Sequence, residues 1–93
     1  MTRMVTVGAA QLGPIARHEP REAVVRRLVA LLRAAHGAGC GLVVYPELAL
    51  TTFFPRWVID DPAEVDSFYE RTMPNATTLP LFEEASRLGV GFH

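Results

Sequence analysis

Hydrophobic positions change their period several times along the chain. Between Met4 and Leu12, Val5, Val7 and Ala9 alternate with Thr6 and Gly8. That two-residue period predicts a strand, ended by Gly13-Pro14. From Arg21 to His36 the spacing becomes helical, with Val24, Leu28, Leu31, Leu32 and Ala35 on one apolar stripe. Pro20 suits the first helical position, where its missing N–H costs nothing. Gly37 and Gly39 supply the stop. Arg26, Arg27 and Arg33 fall largely off the stripe, and Glu22 is spaced to pair with Arg26 one turn on. Leu42-Val43-Val44-Tyr45 is apolar on both faces, which predicts a strand covered on both sides. Strand, helix and strand with short connections form a βαβ unit, hence a parallel pair.

No period holds from Thr51 to Trp57, and Pro55 interrupts the segment, so it is expected to be a loop. Asp61-Pro62-Ala63-Glu64 has the form of a helix start. Asp61 is the cap, Pro62 the first position, and Glu64 reaches back as in a capping box. That helix is expected to run to about Arg71. Met73-Pro74-Asn75 is a turn. A last helix is predicted over Thr78 to Leu88, with Leu79, Phe82, Ala85 and Leu88 inward and Gly89 as its stop. Val90-Gly91-Phe92-His93 begins a third strand, which is expected to be incomplete and to leave an apolar sheet edge.

The 93 residues are 49% hydrophobic and 20% charged, values of an ordinary globular domain. A formal net charge of −1 gives no reason to expect nucleic acid or an anionic membrane as partner. The segment Met1 to Gly8 lacks the apolar core of a secretory signal, and no apolar run approaches the ~20 residues that span a bilayer. The cytoplasm is the default expectation. All nine basic residues are Arg, and the chain has no Lys. Its one cysteine, Cys40, excludes an internal disulfide.

Pro46-Glu47 follows directly on the second strand, and ligands of open α/β sheets bind beyond the carboxyl ends of strands. Glu47 is therefore the candidate general base, expected to be partly buried and to point into a concavity. The residues alone leave a second possibility open, a glutamate answering the dipole of a helix N-terminus. Cys40 lies at the other end of the same strand. At ~3.3 Å per residue, the intervening strand puts it more than ~10 Å from Glu47, beyond the hydrogen-bond reach a base needs to its nucleophile. Phe53, Phe54 and Trp57 form an aromatic cluster. Phe53 is the candidate for lining an apolar substrate pocket, while Trp57 reads as an anchor holding the loop onto the core. His18, His36 and His93 have no metal-ligand spacing, and Gly37, Gly39 and Gly41 precede a strand where a dinucleotide loop needs glycines after one. No metal or cofactor is expected.

The run Pro46-Glu47-Leu48-Ala49-Leu50-Thr51-Thr52-Phe53-Phe54-Pro55-Arg56-Trp57 resembles the carbon–nitrogen hydrolases of the nitrilase superfamily, and within them the N-carbamoyl-D-amino-acid amidohydrolases. Gln11 to Arg17, Asp66 to Glu70 and Met73-Pro74 agree with it, so the resemblance extends over essentially the whole chain. The strand-Pro-Glu feature is shared across the superfamily, whereas the longer run from Glu47 to Trp57 is particular to the carbamoylase branch. The resemblance implies an αββα four-layer sandwich, of which this chain is the N-terminal portion. It also implies a Glu–Lys–Cys catalytic set in which Glu47 is the general base, with a small-molecule N-carbamoyl amino acid as partner and a homo-oligomer as the complete assembly. In such enzymes Cys attacks the ureido carbonyl, Lys stabilises the tetrahedral intermediate, and water hydrolyses the thioester. The family's Lys, Cys and carboxylate-binding Arg residues lie beyond this chain, so residues 1–93 alone are expected to be inactive. Two other possibilities remain at this stage: another amidase of the superfamily, acting for example on an aliphatic amide, and a non-catalytic chain.

Overall fold

The computed structural model describes residues 2–93 as a small α/β domain with a three-stranded parallel sheet. Strand β1 (Val7–Ala9) leads through helix α1 (Arg21–Gly37) to β2 (Leu42–Val44). A 3-10 turn (Phe54–Arg56), helix α2 (Pro62–Ser67) and helix α3 (Leu79–Leu88) then lead to β3 (Gly91–Phe92). The strand order is β1-β2-β3, with Val7 opposite Leu42 and Leu42 opposite Gly91. The parallel βαβ unit expected from the sequence is therefore present. Among the described residues no helix is long and apolar enough to cross a membrane.

The strands are shorter than their sequence patterns. The nine-residue alternation from Met4 to Leu12 contributes three ladder residues, because pairing extends only as far as the partner strand β2 does. Single backbone bonds prolong the edges: Ala10 N–H donates to the Val44 carbonyl at 2.8 Å, and Tyr45 N–H to the His93 carbonyl at 2.7 Å.

Helices α1 and α3 pack on each other over one face of the sheet. Gly8, Val43 and Phe92 share a register level on that face, and Val43 is fully buried there. The core is Val24, Val25, Leu28, Val29 and Leu32 of α1 with Val43, Tyr45, Leu81, Ala85 and Val90. The stripe of α1 is wider than expected: Val25 and Val29 join it, while Leu31 and Ala35 are only partly buried. The opposite face of the sheet is bare. Val7 and Val44 are exposed, as is Ala9 between them. Cover on both sides of β2 is thus not met among the described residues, although its side chains are apolar on both.

Four local expectations are corrected. Pro20 is the N-cap of α1, one position before the helix begins. Glu22 and Arg26 form no ion pair among the described residues; Arg27 instead meets Glu19 at 2.8 Å and donates to the Leu12 carbonyl at 2.7 Å, tying the β1–α1 loop down. In α2, Asp61 caps Ala63 N–H at 3.0 Å as expected, but the Glu64 carboxylate turns outward to Arg17, 2.6 Å away, and the helix ends at Ser67. In α3, Leu81, Glu84 and Ala85 are buried while Leu79 is 40% exposed. Asn75 orients this helix: its Oδ1 accepts from Thr77 and Thr78 N–H, both at 3.0 Å. The inward turn of Glu84 is compensated by Arg33 at 2.5 Å and by Arg87. The hydrogen bond from Arg33 in the first place holds the Glu84 carboxyl below its usual range, against the opposing effect of burial.

Two glycines sit where a side chain would be strained or crowded. Gly89 closes α3 at φ +68°, a left-handed conformation that side chains disfavour. A Cβ at Gly8 would meet Cys40 Sγ at 3.0 Å and Ala35 Cβ at 3.5 Å, so a side chain there would press on the thiol at the α1–β2 corner.

Candidate functional site

Beyond the carboxyl end of β2 the chain leaves the sheet through Pro46 and Glu47, both exposed. Glu47 is at the predicted end of the strand, but the half-buried carboxylate expected from the sequence is not found. The segment after Tyr45 turns outward as soon as pairing with His93 ends. Leu48 then takes φ +55°, a left-handed conformation uncommon for any side-chain-bearing residue. Thr51 N–H closes the turn on the Leu48 carbonyl at 3.3 Å. Strained residues of this kind persist where the surroundings hold them, often beside functional groups.

This turn separates two concavities, and Glu47 lines both. The smaller cleft, ~130 Å³, lies against the loop after β1 and is lined by Leu12, Pro14, Ile15, Glu47, Thr51 and Phe53 among others. The two site residues singled out from the sequence, Glu47 and Phe53, are therefore brought together. Phe53 is 59% exposed, so its ring forms a rim and not a floor. The larger cavity, ~590 Å³, runs over the ends of β2 and β3 and is mainly apolar, with Tyr45, Tyr69, Met73, Phe82 and Phe92 in its wall. Glu70 and His93 add polar groups to it. Neither concavity has an arginine in its wall.

The loop carrying Phe53 is held by its neighbours. Phe54 stacks on Phe68 with ring centroids 5.0 Å apart, and Trp57 lies under both Arg17 (5.3 Å) and Arg56 (5.1 Å). Trp57 thus serves as a loop anchor. Tyr45, the last residue before Pro46, is buried and donates its hydroxyl to the Leu28 carbonyl at 2.7 Å. Burial pushes its phenol up to about 12.

Cys40 is half-buried at the opposite end of β2, packed on Gly8 near Ala35. The strand Leu42–Val44 lies between it and Glu47. His18 and His36 are exposed and far apart in the chain, and among the described residues no three His, Cys, Asp or Glu side chains gather as a metal set.

Three features of the site were not found in the sequence. His93 reaches the larger cavity because parallel pairing aligns the end of β3 with that of β2. The strain at Leu48 has no composition signal, since nothing but glycine or asparagine advertises that conformation. Thr51, read only as part of a loop, is 8% exposed, and its Oγ1 has no hydrogen-bond partner. A comparison with protein-family models finds none that matches the chain.

Proposed function

We propose that the Glu47 end of β2 is the base-carrying part of a carbon–nitrogen hydrolase of the nitrilase superfamily, acting on N-carbamoyl-D-amino acids. The observation that carries this is the position of Glu47: a carboxylate at the carboxyl end of a parallel strand, on the wall of two concavities, with an apolar surface beside it for a side chain. The resemblance of the run Glu47 to Trp57 supplies the reaction class.

In that reaction Glu47 takes the proton of the attacking thiol and returns it to the departing nitrogen. The thiol and the cation at the tetrahedral oxyanion come from outside residues 1–93, because the chain has no Lys and its one thiol lies across the strand from Glu47. Residues 1–93 alone then release no ammonia. The bare apolar face at Val7, Ala9 and Val44 is what a second sheet of an αββα sandwich would cover, and it supports that finer architecture.

The test is turnover by the complete gene product that contains these residues. Ammonia release from N-carbamoyl-D-phenylalanine is measured for the wild type, Glu47→Gln and Cys40→Ala. Glu47→Gln should lose the ~10²–10⁴-fold that general-base removal costs, with its melt unchanged. Cys40→Ala should stay within a few-fold of the wild type. Near-normal turnover by Glu47→Gln, or inactivation of a folded Cys40→Ala, overturns the assignment.

A further inference from the structure

The segment between α2 and α3 leaves two large apolar side chains in the open. Tyr69 is 60% exposed and Met73 52% exposed, and both stand in the wall of the ~590 Å³ cavity that Glu47 also lines. Exposed apolar surface that lines a concavity is the usual mark of a binding wall. The segment is pinned on both sides. Arg21 of α1 donates to the Ser67 carbonyl at 3.0 Å and pairs with the Glu70 carboxylate, and Asn75 Nδ2 donates to Glu70 Oε2 at 2.6 Å. The Tyr69 ring is set by a T-shaped contact with Phe54, centroids 5.6 Å apart, and Phe54 itself stacks on Phe68. The wall is therefore built before any ligand arrives. The deeper rings of the cavity already pack on one another: Phe92 meets Tyr45 at 5.9 Å and Phe82 at 5.1 Å, both edge to face. Tyr69 and Met73 keep more than half of their surface open.

We infer that Tyr69 and Met73 are specificity-determining residues of the Glu47 site, holding the aromatic side chain of a ligand against the cavity wall. The inference rests on the Glu47 assignment above and names the side chain that the site prefers. An aromatic ring has a negative face and a positive edge, so it gains from a tyrosine ring and from a polarisable thioether what an aliphatic chain of equal area does not. A cavity of ~590 Å³ has the size of a small-molecule site, and a methyl side chain would leave most of it empty. Taking the ring off the ligand forfeits both contacts and leaves its ureido end unchanged.

The probes are N-carbamoyl-D-phenylalanine and N-carbamoyl-D-alanine, titrated against the ¹⁵N-labelled chain and followed by backbone amide shifts. The wild type should bind the phenylalanine ligand at least about 10-fold more tightly, as burial of a ring requires. Tyr69→Ala and Met73→Ala should each weaken that ligand by about 3- to 10-fold and leave the alanine ligand within about twofold. Both positions are more than half exposed, so these variants should keep the fold. Tyr69→Phe retains the ring and should retain the wild-type preference. Equal wild-type affinities for the two ligands, or equal losses for both in the alanine variants, overturn the inference alone. The expected losses with shifts at Phe68 to Met73, but none at Glu47 to Thr52, uphold the aromatic wall and overturn the Glu47 assignment. Absence of any saturable shift with either ligand overturns both.

Discussion

Strand β2 enters the sheet through Cys40 and Gly41 and leaves it through Pro46 and Glu47, and the two ends differ in nearly every respect. At the entry, Cys40 N–H bonds to the Ala35 carbonyl at 3.0 Å and Gly41 N–H to the Thr6 carbonyl at 2.8 Å. The thiol lies so close over Gly8 that a Cβ there would meet Sγ at 3.0 Å. At the exit, the carboxylate is exposed, Leu48 is strained, the Thr51 hydroxyl is unpaired, and concavities lie on both sides. A thiol and a carboxylate, either of which names a reaction when met in a sequence, are thus separated by their surroundings: the first is packing, the second faces open space. The stable end gives up conformational freedom for contact, while the other keeps a strained residue and an unpaired hydroxyl.

The packed character of the entry can be broken directly. Gly8→Ala should destabilise by ~1–3 kcal/mol, the usual cost of overpacking a filled site, measured by urea or thermal unfolding. Adding Cys40→Ala should recover a large part of that loss, because the nearest clash is with Sγ. Additive losses in the double variant would show that the entry is looser than described.

A smaller effect sharpens the boundary between the two ends. Tyr45 is the last residue of β2 that is tied to α1, through its hydroxyl. Tyr45→Phe should cost ~1 kcal/mol. The folded phenol is pushed up to about 12, above the ~10 of an unfolded tyrosine, so the neutral form is the one the fold favours. Its contribution is complete below pH ~10 and is lost as pH rises through about 12. Unfolding free energies between pH 9 and 12 should therefore fall more steeply in the wild type than in Tyr45→Phe. Equal slopes would place the hydroxyl in water.

The sequence made β2, α1 and the position of Glu47 legible, because each rests on a local regularity: four β-formers in a row, a 3.6-residue stripe, and a carboxylate directly after a strand. What it did not show depends on contacts between distant residues. Glu64 satisfied every local condition for a capping box, yet Arg17 offers a charged partner that a backbone N–H cannot match. Glu84 interrupts the apolar face of α3, and its burial is tolerable because Arg33, 51 residues earlier, joins Arg87 on its carboxylate. Of the expected inward set of α3, Ala85 is buried and Phe82 and Leu88 are partly buried, while Leu79 in the first turn faces out and Leu81 takes its place, where Asn75 governs the turn into the helix. Thr51 is an ordinary loop threonine in the sequence, and only the folded chain buries it.

The division between the two ends is tested most directly by mapping where a substrate binds. The ¹⁵N-labelled chain is titrated with N-carbamoyl-D-phenylalanine, and the backbone amide shifts are assigned. Saturable shifts should concentrate at Tyr45, Glu47 to Phe53 and Phe68 to Met73, leaving Gly8, Ala35 and Cys40 unmoved. Shifts centred on Gly8, Ala35 and Cys40, or none anywhere at saturation, would contradict a ligand site at the Glu47 end.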